Sequence, residues 1–232
     1  DSALALHALR QSPDFAPAGL LTTLSEGYDR ISIHGVRREL LERQAAAAGL
    51  PLHPVWIPPD ASNDVYEERM AAALAGLRES GLRRIAFGDL FLDDIRAYRE
   101  RLVAGLGWKA VFPVWGRDTA AFAREVTDLG FAAVLVCVDT ERLDPSFAGR
   151  AFDEALVADL PPGVDPCGEN GEFHTFVHAG PVFSRPVAWT PGPLEVRGRF
   201  CWRDLLPGLP APGAPLGTIP APGAPSGTVE AE

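Results

Sequence analysis

A chain of 232 residues can bury a sizeable core, and 47% hydrophobic with 22% charged residues is typical of a folded, soluble domain. The net charge of −10 argues against a surface built to bind nucleic acid, and no apolar run approaches the roughly 20 residues that span a bilayer. The three cysteines form no CxxC pair, which favours a reducing compartment. We therefore expect a cytoplasmic protein that binds neither nucleic acid nor membranes.

Helices and strands are predicted to alternate through the first 140 residues, beginning with a helix in DSALALHALRQS. Further helices are predicted at 36–48, 63–80, 93–106 and 119–129, and strands at 20–24, 52–57, 84–90, 110–115 and 132–138. This alternation favours right-handed βαβ units, hence an α/β fold with a mostly parallel sheet covered by helices on both faces. Such sheets bind ligands at the carboxyl ends of their strands.

The alternation stops after Asp139. We predict a nucleotide-binding domain over residues 1–140 and a small α+β substrate subdomain over 141–206. Residues 207–232 form a Pro/Ala/Gly-rich tail in which PAPGAPLGTI is nearly repeated as PAPGAPSGTV. This composition buries too little apolar area to offset chain entropy, so the tail is predicted to be disordered.

Side chains capable of chemistry are most crowded in DPCGENGEFHTFVHAGPVF, which begins at Asp165. Gly168 and Gly171 permit a tight loop, and a short strand is predicted to follow. The alternative is an ordinary glycine-rich turn before a strand. A zinc site at His174 and His178 is disfavoured, because their spacing from the nearby cysteine matches no closed structural pattern.

Acidic residues also follow the predicted strand at 84–90. Asp89 stands where a ribose or a magnesium ion would bind, whereas Asp93 and Asp94 suit the start of a helix. His34 could contact a nucleotide, although a lone histidine is more often structural. The chain contains no Gly-x-Ser-x-Gly elbow, no Walker A motif and no GxGxxG.

Several segments occur in an order that points to one family: DSALAL, RISIHGVRRELLERQA, FGDL, FPVWGRDT, GFAAVLVCVD, DPCGENGEFHTFV and GPVF. Together they resemble the diphthine–ammonia ligase family of ATP pyrophosphatases, in particular its bacterial relatives, from Asp1 to about Pro186. The resemblance implies a three-layer, mostly parallel fold of the adenine nucleotide alpha-hydrolase (HUP-like) type. It also implies a pyrophosphate loop SGGKDS, of which Asp1 and Ser2 would be the last two residues, the rest and the first strand being expected upstream.

The resemblance implies activation of a carboxylate by ATP as an acyl-adenylate, release of pyrophosphate, and attack by ammonia to give an amide. The implied cofactors are ATP and Mg²⁺, with Asp1 as the metal ligand. The implied nucleotide-binding residues are Asp1, Ser2, Thr23, Leu24, His34, Gly88 and Asp89. The implied catalytic residues, which would line the acceptor pocket, are Glu169, Asn170, Glu172 and Thr175.

One departure concerns the substrate, because FLDDIRAYRERL stands where the diphthamide enzymes have a Ser and a Tyr-Gln pair. The acid is therefore left open as a small-molecule or protein-borne carboxylate, with ammonia as co-substrate and a homodimer as a further possibility. A non-catalytic adenine-nucleotide-binding protein is the alternative. Thiolation through Cys167 is a third interpretation.

Overall fold

A computed structural model of the chain describes residues 1–209, so most of the predicted tail lies outside the described residues. It confirms the α/β class. The helices are α1 Ser2–Gln11, α2 Arg38–Ala48, α3 Asn63–Glu79, α4 Asp93–Gly105, α5 Thr119–Asp128 and α6 Glu154–Asp159, with a 3₁₀ turn at Pro145–Phe147. The strands are β1 Leu20–Ser25, β2 Arg30–Ile31, β3 Leu52–Ile57, β4 Arg84–Ala86, β5 Lys109–Val111, β6 Ala132–Asp139, β7 Phe173–Ala179, β8 Trp189–Arg197 and β9 Phe200–Pro207.

The helix boundaries follow from local signals in the sequence. The side chain of Asp118 accepts a hydrogen bond from Ala121 N at 2.8 Å and so begins α5, while Ser62 begins α3 in the same way. Gly49 ends α2 with φ of 68°, a left-handed conformation that glycine adopts without steric cost. These caps explain why the predicted helices lie within two residues of the observed ones.

Two pairs of parallel strands form the N-terminal part of the structure. β1 pairs with β3 from Leu20 opposite Leu52 to Ser25 opposite Ile57, and the short β2 adds an antiparallel edge to β1. β4 pairs with β5 in parallel over three residues on each strand. No strand pairing joins these two small sheets within residues 1–209.

The third sheet has the order β7-β6-β9-β8 and is antiparallel throughout. The expectation of one mostly parallel sheet is therefore not confirmed, because the sheets are small and partly antiparallel. The strand responsible is β6, which was predicted as the last parallel strand. Its residues are buried from Ala133 to Asp139, a pattern that fits a central antiparallel strand covered on both faces as well as a parallel one.

Helices cover both kinds of sheet. Leu74 of α3 and Val103 of α4 bury their side chains with Trp108, and Leu21 of β1 and Ile85 of β4 pack against them. Full burial of each such aliphatic side chain contributes about 1.5–3 kcal/mol. The antiparallel sheet has α2 on one face and α5 with α6 on the other.

The segment that contains SIHG rests on the antiparallel sheet. Trp202 Nε1 donates a hydrogen bond to Ile33 O at 2.8 Å, and a Cβ on Gly35 would lie 2.8 Å from the Trp202 ring. Asp204 is buried and accepts hydrogen bonds from Arg30 and Arg37 at 2.6–3.1 Å. β9 therefore anchors the chain between β2 and α2.

Within residues 1–209, no helix combines the length and the apolar character that a bilayer crossing requires.

Candidate functional site

The acidic loop, residues 165–172, folds around the side chain of its first residue. Asp165 Oδ1 accepts hydrogen bonds from Cys167 N at 2.8 Å and Glu169 N at 3.2 Å. Gly168 has φ of 68°, and a Cβ there would lie 2.7 Å from Phe173 O. This position consequently requires glycine, for its conformation and for the close approach of the strand that follows.

Glu172 points into the acidic loop rather than out of it. Its Oε1 accepts hydrogen bonds from Asp165 N and Asn170 Nδ2, both at 3.1 Å, and its Oε2 accepts one from Asn170 N at 3.0 Å. The residue is only 3% exposed. Glu172 and Asn170 thus hold the loop together, and their predicted catalytic roles stay predictions.

Glu169 connects the acidic loop to the ends of the parallel strands. Its Oε1 accepts a hydrogen bond from Leu90 N at 2.7 Å, and Leu90 O accepts one from Gly116 N at 2.7 Å. Burial raises the pKa of the Glu169 carboxyl group above its ordinary value. The loop, the segment after β4 and the segment after β5 are therefore joined in one place.

The N-terminus of α1 lies at the same place. A Cβ on Gly88 would be 2.9 Å from Ser2 N, so only glycine allows this approach. Asp1 and Cys167 of the acidic loop line one small cavity. The Asp1 side chain makes no capping hydrogen bond. The first-turn N–H groups of α1 can therefore donate to a ligand.

A small cavity of about 30 Å³ lies behind the acidic loop. Its polar wall contains Asp1, Cys167 and Thr175, and its other walls are apolar side chains of α1, α5, β6 and β7 together with Phe131 and Phe152. A space of this volume admits a group the size of one or two water molecules. Thr175 thus faces this cavity, on the strand face that its neighbours Phe173 and Val177 also occupy.

The ring of His34 lies against that of His174, with centroids 4.6 Å apart and the ring planes tilted by 41°. Burial lowers the pKa of both imidazoles, and that of His174 falls to about 4 with His34 as the second cause. Thr23 O accepts a hydrogen bond from Ser32 N at 3.2 Å, while Leu24 is fully buried. Leu24 pairs with Ile31 on one side and with Trp56 on the other, so it offers no surface to a ligand, and its predicted nucleotide contact stays a prediction.

The histidines and cysteines do not form a metal site. His178 contacts Trp189 rather than His174, and no group of three or more His, Cys, Asp or Glu side chains among residues 1–209 is placed to hold a metal ion. Cys167 Sγ donates to Thr119 O at 3.3 Å, and burial raises the pKa of its thiol to about 12. A thiolate nucleophile at Cys167 is therefore disfavoured, and thiolation with it.

Asp89 meets a partner that sequence reasoning missed. Arg99 Nη2 donates to Asp89 Oδ1 at 3.1 Å, and Arg99 Nε lies 2.9 Å from Oδ2. The second contact is not aligned as a hydrogen bond, so both of its atoms are buried without one. The signal in the sequence was the pair Arg96 and Arg99, one turn apart on a helix that follows Asp89. Arginines at that spacing share a helix face.

The candidate site therefore lies where the ends of β4 and β5, the N-terminus of α1 and the acidic loop meet. The carboxyl ends of parallel strands are where α/β proteins commonly bind ligands, and the candidate site occupies that position. A family model described as the diphthamide synthase C-terminal domain matches residues 118–192. The diphthine–ammonia ligase of Danio rerio is 26% identical over 180 residues, which cover 70% of each chain. The chain is thus similar to the diphthine–ammonia ligases, which confirms the resemblance seen in its sequence.

Proposed function

We propose that this chain is an ATP-dependent amide-forming ligase of the diphthine–ammonia ligase type. A carboxylate oxygen of the acid attacks the α-phosphorus of ATP, and the bond to pyrophosphate breaks. Ammonia then attacks the acyl carbon, the C–N bond forms, and AMP leaves with the acyl oxygen while a base takes the proton. The similarity to the Danio rerio ligase supports the reaction type.

One observation carries the proposal: the hydrogen bond between Glu169 Oε1 and Leu90 N ties the acidic loop to the strand end that carries Gly88 and Asp89. The N-terminus of α1 lies against Gly88. A nucleotide with its phosphates at α1 would therefore have its α-phosphate near the acidic loop, where the acid has to be held.

In this proposal Asp1 and Ser2 receive the phosphates, since a helix N-terminus offers free N–H groups and a favourable dipole. Thr23 and His34 bound the nucleotide on the side of β1. Thr175, which lines the small cavity, and Glu169, which lies at the strand ends, orient ammonia or the acyl group. Glu172 and Asn170 act through the shape of the loop.

Magnesium enters the proposal through Asp1. No set of three protein ligands for a metal exists among residues 1–209, but Mg²⁺ in nucleotide sites commonly takes one or two carboxylates and completes its shell with phosphates and water. The uncommitted side chain of Asp1 fits that requirement. It would hold the ion where it neutralises charge on the departing pyrophosphate.

The HUP-like fold is part of the same proposal. Leu21 of β1, Ile85 of β4 and Ala110 of β5 pack against one apolar cluster beneath α3 and α4. This supports the two parallel pairs as parts of one layer between two layers of helices. An experimental structure with β1 and β4 in different layers would contradict it.

The ligase reaction is tested by incubating the protein with ATP, ammonium chloride and a diphthine-bearing substrate whose carboxylate carries ¹⁸O. We expect equal amounts of AMP and pyrophosphate, an amide product, and one ¹⁸O atom in the AMP. Release of ADP and phosphate would contradict the proposal. Asp1→Asn is expected to slow AMP formation at least tenfold, whereas Arg124→Gln, on the exposed side of α5, serves as the matched control.

A second candidate is a non-catalytic adenine-nucleotide-binding protein. It is favoured by the side chains of Asp165, Glu169 and Glu172, all of which accept hydrogen bonds within the protein. Tight binding of ATP without AMP formation from any offered acid would support this candidate. The isotope experiment therefore separates the two.

A further inference from the structure

Two arginines of α4 lie on an aromatic surface at the ends of β4 and β5, and we call them the strand-end arginine pair. The guanidinium carbon of Arg96 is 5.0 Å from the ring centroid of Phe112 and 4.7 Å from that of Trp115. The guanidinium of Arg99 is 4.5 Å from the ring centroid of Phe87. The rings of Phe87 and Phe112 stack at 5.6 Å, so the surface is continuous.

Both guanidinium groups keep donors to spare. Arg96 Nε donates to Glu100 Oε1 at 2.9 Å, and Arg99 uses its Nε and Nη2 towards Asp89. Among residues 1–209, no other acceptor contacts either group. A guanidinium carries five N–H donors in its plane, and an aromatic ring next to it holds that plane without using them. The pair therefore presents oriented N–H groups that no side chain of the described chain satisfies.

The position of the pair connects it to the candidate site. Asp89, which Arg99 contacts, immediately precedes Leu90, whose N–H group donates to Glu169 Oε1 at 2.7 Å. The side chains of Arg96 and Arg99 are 37% and 33% exposed, so solvent and a ligand can reach them. Arg96 is also the fourth residue of α4, where the helix dipole favours an anion. Each guanidinium has one carboxylate neighbour, Glu100 for Arg96 and Asp89 for Arg99, and the first turn of α4 also carries Asp93 and Asp94.

We propose that Arg96 and Arg99 bind the carboxylate of the acid acceptor. This inference rests on the proposed function and adds the residues that hold its second substrate. A planar carboxylate matches the fork of a guanidinium, which donates two parallel hydrogen bonds to it. The nucleotide phosphates have their own donors at the N-terminus of α1. Arg99, held by Asp89 and Phe87, fixes the direction of approach, and Arg96 supplies the exposed donors.

The inference is tested by direct binding, without turnover. Sodium acetate is titrated into the full ¹⁵N-labelled chain in chloride-free buffer, and the indole N–H signal of Trp115, assigned through Trp115→Phe, is followed by NMR. We expect a saturable shift whose Kd rises at least fivefold in Arg96→Gln. Arg96→Lys, which keeps the charge but loses the fork, should lie between. Arg101→Gln, an exposed position on the same helix, should bind acetate as the wild type does.

An acetate-independent Trp115 signal, or equal Kd values for Arg96→Gln and Arg101→Gln, would overturn the inference. Tighter binding of inorganic phosphate than of acetate at the same signal would assign the pair to the nucleotide and would also overturn it. Arg99→Lys, which keeps a cation beside Asp89, is a second variant in case Arg96→Gln unfolds. Arginine-dependent acetate binding without AMP formation would support this inference and contradict the proposed function. AMP formation without arginine-dependent acetate binding would support the proposed function and contradict this inference.

Discussion

The acidic loop and the strand-end arginine pair lie close together but use their charged groups in opposite ways. In the acidic loop, Asp165 and Glu172 accept hydrogen bonds from the loop's own backbone. In the arginine pair, Arg96 and Arg99 rest on aromatic rings and keep N–H groups without an acceptor among residues 1–209. Polar residues are therefore denser in the acidic loop, but the polar groups that remain free to bind a ligand are those of the arginine pair.

This difference predicts that changes in the acidic loop act mainly on stability, whereas changes in the arginine pair act mainly on binding. Three measurements test it, and a fourth concerns His174 in the strand that follows the acidic loop.

The largest effect is expected from Glu172→Gln. The new amide group would turn a donor towards N–H groups that now meet a carboxyl oxygen, and the residue is too buried for water to replace the lost bonds. We expect the free energy of unfolding to fall by about 3 kcal/mol. Urea unfolding followed by circular dichroism measures it. A loss of turnover at unchanged stability would instead make Glu172 a catalytic residue.

The second effect is a pH dependence from His174. Its pKa is about 4 in the folded chain and 6.5 in an exposed imidazole, so its contribution to stability is complete above pH 6.5 and is lost as the pH falls towards 4. The loss reaches about 3 kcal/mol over this range. His174→Gln should remove much of the slope between pH 7 and pH 5. An unchanged slope in urea unfolding of this variant would contradict the burial of the imidazole pair.

The third effect concerns the connection between the two regions. Glu169→Ala removes the acceptor of Leu90 N and is expected to cost about 1–2 kcal/mol of stability. Glu169→Gln keeps an oxygen at that position and should cost less. Urea unfolding of both variants, next to Glu172→Gln, tests whether the loop is held mainly by Glu172. Equal free energies of unfolding for Glu169→Ala and Glu169→Gln would show that the hydrogen bond to Leu90 N does not stabilise the loop.

The smallest effect on stability is expected from Arg96→Gln. Its exposed i,i+4 ion pair with Glu100 contributes about 0.3–0.5 kcal/mol, and its contacts with the Phe112 and Trp115 rings add about 0.5–1 kcal/mol. The same variant should weaken acetate binding at least fivefold. Thermal unfolding and the NMR titration on one preparation compare the two quantities. A loss of several kcal/mol in stability would give Arg96 a structural role like that of Glu172.

The sequence predicted local structure better than strand pairing. The strand at 52–57 was predicted with its observed limits, because its apolar run is bounded by Gly49 and by Pro58. The strands predicted at 84–90 and 110–115 stop at Ala86 and Val111. Their later residues turn away to pack around Leu90, and a side chain from a distant loop satisfies the Leu90 N–H group. No local pattern reports such a contact.

The sequence predicted which segments form the candidate site, but it did not predict what each side chain does there. The segments that contain Gly88, Asp1 and Glu169 do meet. The direction of the Glu172 side chain was not visible, since a carboxylate that faces a ligand and one that closes a loop look alike in sequence. The contact between Asp89 and Arg99 was not predicted, because the acidic residues at the start of α4 indicate only where the helix begins, whereas Arg99 lies further along it.

The central position of β6 determines where this chain can be joined to a similar protein in a chimaera. β6 belongs by sequence to the first predicted domain, yet its hydrogen bonds go to β7 and β9. A crossover at residue 140 would separate the strand from its own sheet. Exchange of the C-terminal part between similar proteins should instead begin before α5, near Asp118, where the graft would carry its own central strand.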